Sequence, residues 1–131
     1  MKFADTSYLL ALLNPDDELH DSATALSAAL NEVVVTTMWV LTKLGDALHR
    51  GRNRETFTRF LDTLGEHEDF EVVPASPELF QRGVMLFRAR PDKEWSLTDC
   101  ISFAVMTERK LSEALTADHH FEQAGFRAVF K

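Results

Sequence analysis

Short, apolar, β-branched runs alternate in this chain with stretches whose apolar residues recur at helical spacing, and that alternation constrains the fold most. Val33-Val34-Val35 is apolar on both faces, which suits a strand covered by helices on either side. Phe3-Ala4, Phe70 to Val73, Ala114 to Ala117 and Arg127 to Phe130 read as further strands. A helix opening at Asp5-Thr6-Ser7 is broken by Asn14-Pro15, and a second runs from about Asp16 with Leu19, Ala23, Leu26 and Leu30 on one face. Val40, Leu44, Ala47 and Leu48 mark a third between Met38 and about His49, and Phe57, Phe60, Leu61 and Leu64 a fourth, closed by Gly65. Ser76-Pro77 caps a fifth that runs to Pro91, Ser96 to Asp99 opens a sixth, and Asp118 to Ala124 makes a final helical turn. This order predicts a three-layer α/β/α sandwich around a mainly parallel sheet, in one domain over residues 1–131.

In such sheets ligands bind beyond the carboxyl ends of the strands, so the residues just after each strand carry the functional expectation. Asp5 follows the first strand, Asp118 follows the fourth, and Asp99 lies in the first turn of the helix before that fourth strand. Clustered carboxylates repel one another unless a cation or added protons neutralise them. Hard oxygen ligands select Mg²⁺ or Mn²⁺ over zinc, and such a centre suits phosphodiester hydrolysis. Each aspartate also has a purely structural role open to it. Asp5 and Asp118 can cap helices, and Asp99 stands three residues after Ser96, the spacing of a capping box.

Charge narrows the ways in which a polyanion can be bound. Lys and Arg number 14 against 21 Asp and Glu, a net charge of −7, so long-range attraction to nucleic acid is not available. Contact with nucleic acid then needs a bound cation or a local basic patch. Arg50, Arg52 and Arg54 form the densest patch, although composition alone favours reading it as a solvated connection between helices. Cys100 is the only cysteine, which fits a reducing, cytoplasmic setting and most simply packs in the core. The longest apolar run, Tyr8 to Leu13, is far short of the ~20 residues that span a bilayer, so no membrane association is expected.

Three segments carry a family resemblance: Phe3 to Leu12 around Asp5-Thr6-Ser7, Trp95-Ser96-Leu97-Thr98-Asp99-Cys100, and Leu115-Thr116-Ala117-Asp118-His119-His120 running on to Phe126. In order and spacing they resemble the hallmark blocks of PIN-domain ribonucleases, and within these the VapC-type toxins of toxin–antitoxin pairs. The resemblance implies a metal-dependent endoribonuclease with carboxylates at Asp5, Asp99 and Asp118, assisted by the hydroxyls of Thr6, Ser96 and Thr116. It further implies transfer or ribosomal RNA as substrate, a homodimer, and a cognate antitoxin that blocks the site.

One position departs from the pattern. The family's fourth acid, a Glu on the helix after the second strand, is replaced by Lys43. An ammonium has three donors and no lone pair, so it cannot ligate a cation, although it can sit among the aspartates and replace part of an ion's charge. Weakened metal binding and low or absent nuclease activity are expected. An introduced inactivating change, a naturally disabled homologue and relocation of the acid to Asp46 all stay open. Asp46 also has the plainer roles of an i,i+3 partner for Lys43 or a solvated side chain.

The remaining candidates are weaker. His119 and His120 are adjacent, so on a helix they point apart and make a poor chelating pair. His20, His49 and His67 have no zinc-like spacing, and Trp39 and Trp95 suit packing or base stacking. A phosphoacceptor receiver domain also uses an acidic pocket on an α/β sheet, but no Asp follows Val72-Val73 here. A PIN-like protein that only binds RNA or a protein partner is the remaining alternative.

Overall fold

The computed structural model describes residues 1–130. Its strands are β1 (Lys2–Ala4), β2 (Val34–Thr37), β3 (Phe70–Val73), β4 (Glu113–Leu115) and β5 (Arg127–Ala128). Between β1 and β2 lie α1 (Thr6–Leu13) and α2 (His20–Ala29), and between β2 and β3 lie α3 (Met38–Ala47) and α4 (Gly51–Glu66). The crossover from β3 to β4 carries α5 (Pro77–Ala89) and α6 (Leu97–Glu108), and α7 (His120–Gln123) joins β4 to β5.

All four strand pairings are parallel, in the order β3-β2-β1-β4-β5. The expected α/β sandwich is therefore present, with every pairing parallel. Receiver domains use the order 2-1-3-4-5, so the topology removes that reading. The chain first winds from β1 out to β3, then crosses back to β4 on the other side of β1. With right-handed crossovers this puts α1 to α4 on one face and α5 to α7 on the other. The reversal falls between β1 and β4, where a crevice opens at their carboxyl ends.

The fully buried Phe3, Val35, Leu9, Val40, Leu44, Ile101, Met106, Leu115 and Phe121 form the core on both sides of the sheet. Packing between α5 and α6 depends on Gly83, where a Cβ would stand 2.3 Å from Ile101 Cγ1. No helix is long and apolar enough to cross a membrane.

Several boundaries move from the sequence expectation, each for a local reason. β2 continues to Thr37 because Thr36 Oγ1 donates to Ala4 O (2.9 Å) and Thr37 Oγ1 accepts from Val40 N to cap α3 (3.1 Å). α2 starts at His20 rather than near Asp16, since the Asn14 and Asp17 side chains hold the amides of Asp16 and Leu19 in turns. Gly65 lies inside α4 rather than closing it, and the Arg50 to Arg54 patch forms the start of that helix rather than a connection. β4 stops at Leu115, one residue before Thr116 turns its hydroxyl into the crevice.

Candidate active site

β1 delivers Asp5 directly into the crevice, where it is 5% exposed. It occupies the N-cap position of α1, yet its side chain makes no cap hydrogen bond. Its Oδ2 instead accepts from Thr116 Oγ1 at 2.9 Å, across the β1–β4 seam, and Ser7 Oγ lies 3.4 Å from the same oxygen. Thr116 Oγ1 in turn accepts from Asp118 N (3.0 Å), and Ser7 Oγ accepts from Ala117 N (3.1 Å). The turn after β4 is thus tied to the turn after β1 by two hydroxyls. Burial pushes the Asp5 carboxyl above its ordinary value; the Thr116 hydroxyl and the Thr6 backbone N–H oppose this, and the charges of Asp99 and Asp118 add to it.

Asp99 arrives from the opposite face on α6. Ser96 Oγ accepts from Asp99 N (3.0 Å) while Asp99 Oδ2 accepts from Ser96 N (3.1 Å), so the capping box expected from the spacing is formed. Asp99 is 4% exposed. Asp118 Oδ1 accepts from His120 N (2.9 Å), a local turn that leaves His119, not Asp118, as the N-cap residue of α7.

His120 completes the cluster, contrary to the expectation that adjacent histidines diverge. Its Nδ1 lies 3.2 Å from Asp99 Oδ2 and 3.3 Å from Asp118 Oδ1, while His119 Nδ1 lies 3.7 Å from Asp118 Oδ1. The two rings are 4.5 Å apart between centroids. They converge because α7 is one short turn beginning at His120 with His119 as its N-cap, so the pair straddles a helix start instead of lying along a helix. Asp118, His119 and His120 form a group whose donor atoms all lie within 4.8 Å of one another. Asp5 and Asp99 are outside that group and are joined to it through Thr116 and His120.

The site is suited to a divalent cation by what it lacks. Among the described residues no Lys or Arg forms an ion pair with Asp5, Asp99 or Asp118. Thr6 Oγ1, next to Asp5 in the chain, is buried without a hydrogen-bond partner, as is Ser102 Oγ on α6, so the Thr6 hydroxyl has acceptor capacity left for a ligand. Lys43 makes no hydrogen bond or ion pair with the cluster. It is exposed on α3 and pairs neither with the aspartates nor with Asp46, which is also exposed. Its long stem carries the ammonium into water, avoiding the cost of burial. Arg50, Arg52 and Arg54 likewise make no bond to the cluster; Arg50 and Arg54 bond to His49.

Comparison with known proteins agrees with this geometry. The PIN-domain family matches residues 2–127. The 23S rRNA-specific endonuclease VapC20 of Mycobacterium tuberculosis is 34% identical over 130 residues, covering 98% of each chain. Its crystal structure, described as that of a sarcin-ricin loop cleaving toxin, superposes with a TM-score of 0.90 over 100% of both chains, at 27% identity when residues are paired by position in space. FitAcB of Neisseria gonorrhoeae superposes with a TM-score of 0.67 at 19% identity, covering 100% of this chain and 97% of the other, a likeness of fold alone. A family match across nearly the whole length, on a sheet whose reversal gathers three aspartates, shows that this chain belongs to the PIN-domain family.

Proposed function

We propose that this protein is a metal-dependent endoribonuclease of the toxin class, and that Lys43 impairs it. The observation that carries the reading is the convergence of Asp5, Asp99 and Asp118, with no Lys or Arg among the described residues paired to them. The likeness to an rRNA endonuclease supports RNA of the ribosomal or transfer class as substrate.

Asp5, Asp99 and Asp118 would hold Mg²⁺ or Mn²⁺, and the imidazoles of His119 and His120 beside Asp118 favour Mn²⁺. When bound, the ion supplies water activation and offsets charge on the leaving oxygen. The chain's own groups hold the carboxylates in fixed poses. Thr116 orients Asp5, the Ser96 capping box orients Asp99, and the turn to His120 N orients Asp118. His120 Nδ1 lies within reach of both Asp99 Oδ2 and Asp118 Oδ1 and so ties the two carboxylates together. Lys43 stands where the family carries an acid, and an ammonium has no lone pair to offer a cation, so one ligand is missing and metal affinity is weakened.

A protein partner is supported by the apolar groove of about 540 Å³ between α3 and α4, with Met38 and Leu61 exposed along it. We assign the antitoxin to this class of partner and expect a homodimer in a reducing cytoplasm, to be read by light scattering of the purified chain.

The test is cleavage. The chain and its Lys43→Glu variant are incubated with total RNA in Mn²⁺ or Mg²⁺ and the cut ends mapped. Only the Glu variant should cut, and both chelator and an added Asp5→Ala should stop it. If neither protein cuts, a PIN-like protein that binds without cleaving, the reading that Lys43 itself favours, replaces the nuclease.

A further inference from the structure

A second cavity, of about 460 Å³, lies where α5 ends and α6 begins. That volume falls in the ~300–1,000 Å³ range of small-ligand pockets. Phe87, Arg88, Arg90, Lys93, Trp95 and Cys100 are among its walls. Trp95 immediately precedes Ser96 and Cys100 immediately follows Asp99, so this cavity is lined by the chain neighbours of the two residues that form the capping box.

Its chemistry differs from the rest of the molecule. In a chain of net charge −7, three cations line one pocket, with Glu94 as the only acid on its wall. Arg90 is committed to structure: it makes two bonds to Asp92 (3.0 and 2.9 Å) and lies 5.3 Å from the centre of the Trp95 ring. Trp95 is locked as well, since its Nε1 donates to Gln123 Oε1 (3.0 Å) and its ring meets Phe103 edge-on at 5.0 Å. Arg88 and Lys93 are not committed in this way, and neither has an ion-pair partner among the described residues. Phe87 is 50% exposed at the same pocket. A rigid floor, an exposed aromatic face and two unpaired cations are the groups that take one nucleotide: the ring stacks on the base and the cations meet phosphate.

We propose that this pocket is a nucleotide subsite of the same active site, which binds one unpaired nucleotide of single-stranded RNA next to the scissile phosphate held at the aspartates. It rests on the ribonuclease reading and adds where the chain obtains affinity that its net charge withholds. A base inside a duplex is already stacked on its neighbours, so the pocket selects loops and single strands.

Binding can be measured apart from cleavage. A fluorescent single-stranded RNA oligonucleotide is titrated with the chain in EDTA, by anisotropy, across a range of salt. Each phosphate contact in a single strand contributes ~0.7 to the slope of log affinity against log salt. Arg88→Ala with Lys93→Ala should therefore flatten the slope by about 1.4. Phe87→Ala should weaken binding about tenfold and leave the slope unchanged. Arg127→Ala, at the far end of the sheet, is the control for simple loss of charge and should change neither. An unchanged slope in the double variant, or no binding by the parent chain, overturns the subsite. If Lys43→Glu cuts RNA while the pocket variants bind as the parent does, the nuclease stands and the subsite falls. If binding depends on Arg88 and Lys93 while neither the chain nor Lys43→Glu cuts, the pocket stands as an RNA site and the nuclease falls.

Discussion

The two ends of the sheet handle charge in opposite ways. At the amino ends of the strands Lys2 bonds Glu32 (2.6 Å) and Glu113 (3.3 Å), the chain's N-terminal ammonium bonds Glu32 (2.7 Å), and Arg127 bonds Glu113 (3.3 Å). Both of these glutamates have a base. At the carboxyl ends Asp5, Asp99 and Asp118 have no Lys or Arg partner among the described residues, only hydroxyls, backbone N–H groups and imidazoles. The titration behaviour divides the same way: Lys2 holds Glu32 down to about 2, whereas burial raises Asp5. β1 spans both regimes within the four residues from Lys2 to Asp5. Charges at the amino end are paired with bases, and the three aspartates at the carboxyl end are not paired with a base among the described residues.

If that contrast is functional, the carboxyl end should respond strongly to change and the amino end hardly at all. The largest effect is expected from Asp99→Ala. Mn²⁺ should raise the melting temperature of the parent chain by mass action, and this variant should lose the rise. Thr116→Val in the Lys43→Glu background should lower metal affinity or cleavage about 10–100-fold, because it releases Asp5 from its pose; activity unchanged within twofold would show that the hydroxyl only packs. Asp5→Asn should raise the melting temperature of the metal-free protein at pH 7. A folded carboxyl with a raised pKa contributes stability at low pH and loses it as pH rises from about the ordinary value through the raised one. The variant should show no such fall, and identical pH–stability curves for the two proteins would sink the assignment. Glu113→Gln, at the other end, removes exposed ion pairs and should cost under about 1 kcal/mol by denaturant melts. A larger cost there would erase the contrast.

The contrast is partly legible in the sequence. Asp5 and Asp118 stand out because they follow strands, and strands announce themselves by apolar runs such as Phe3-Ala4. Ser96 and Asp99 are legible as a capping box because that motif is local. His120 is not, since its value comes from Asp99, a residue on another element that no spacing places beside it. Ser7 escapes notice as a site group for the same reason: its partner Thr116 lies at the other end of the chain. Lys43 can be located by the resemblance but not aimed, because a long flexible side chain on a helix surface chooses water over the crevice.

The hydrogen bond from Thr116 to Asp5 joins residues 111 positions apart. A ribosome making this chain has therefore released Asp5 long before it adds Thr116, Asp118 and His120. Non-local strand pairs such as β1 with β4 form only after that loop closes. An unfinished chain then holds three elements of the sheet and no site. The cluster of carboxylates therefore comes together only when synthesis of the chain is almost done.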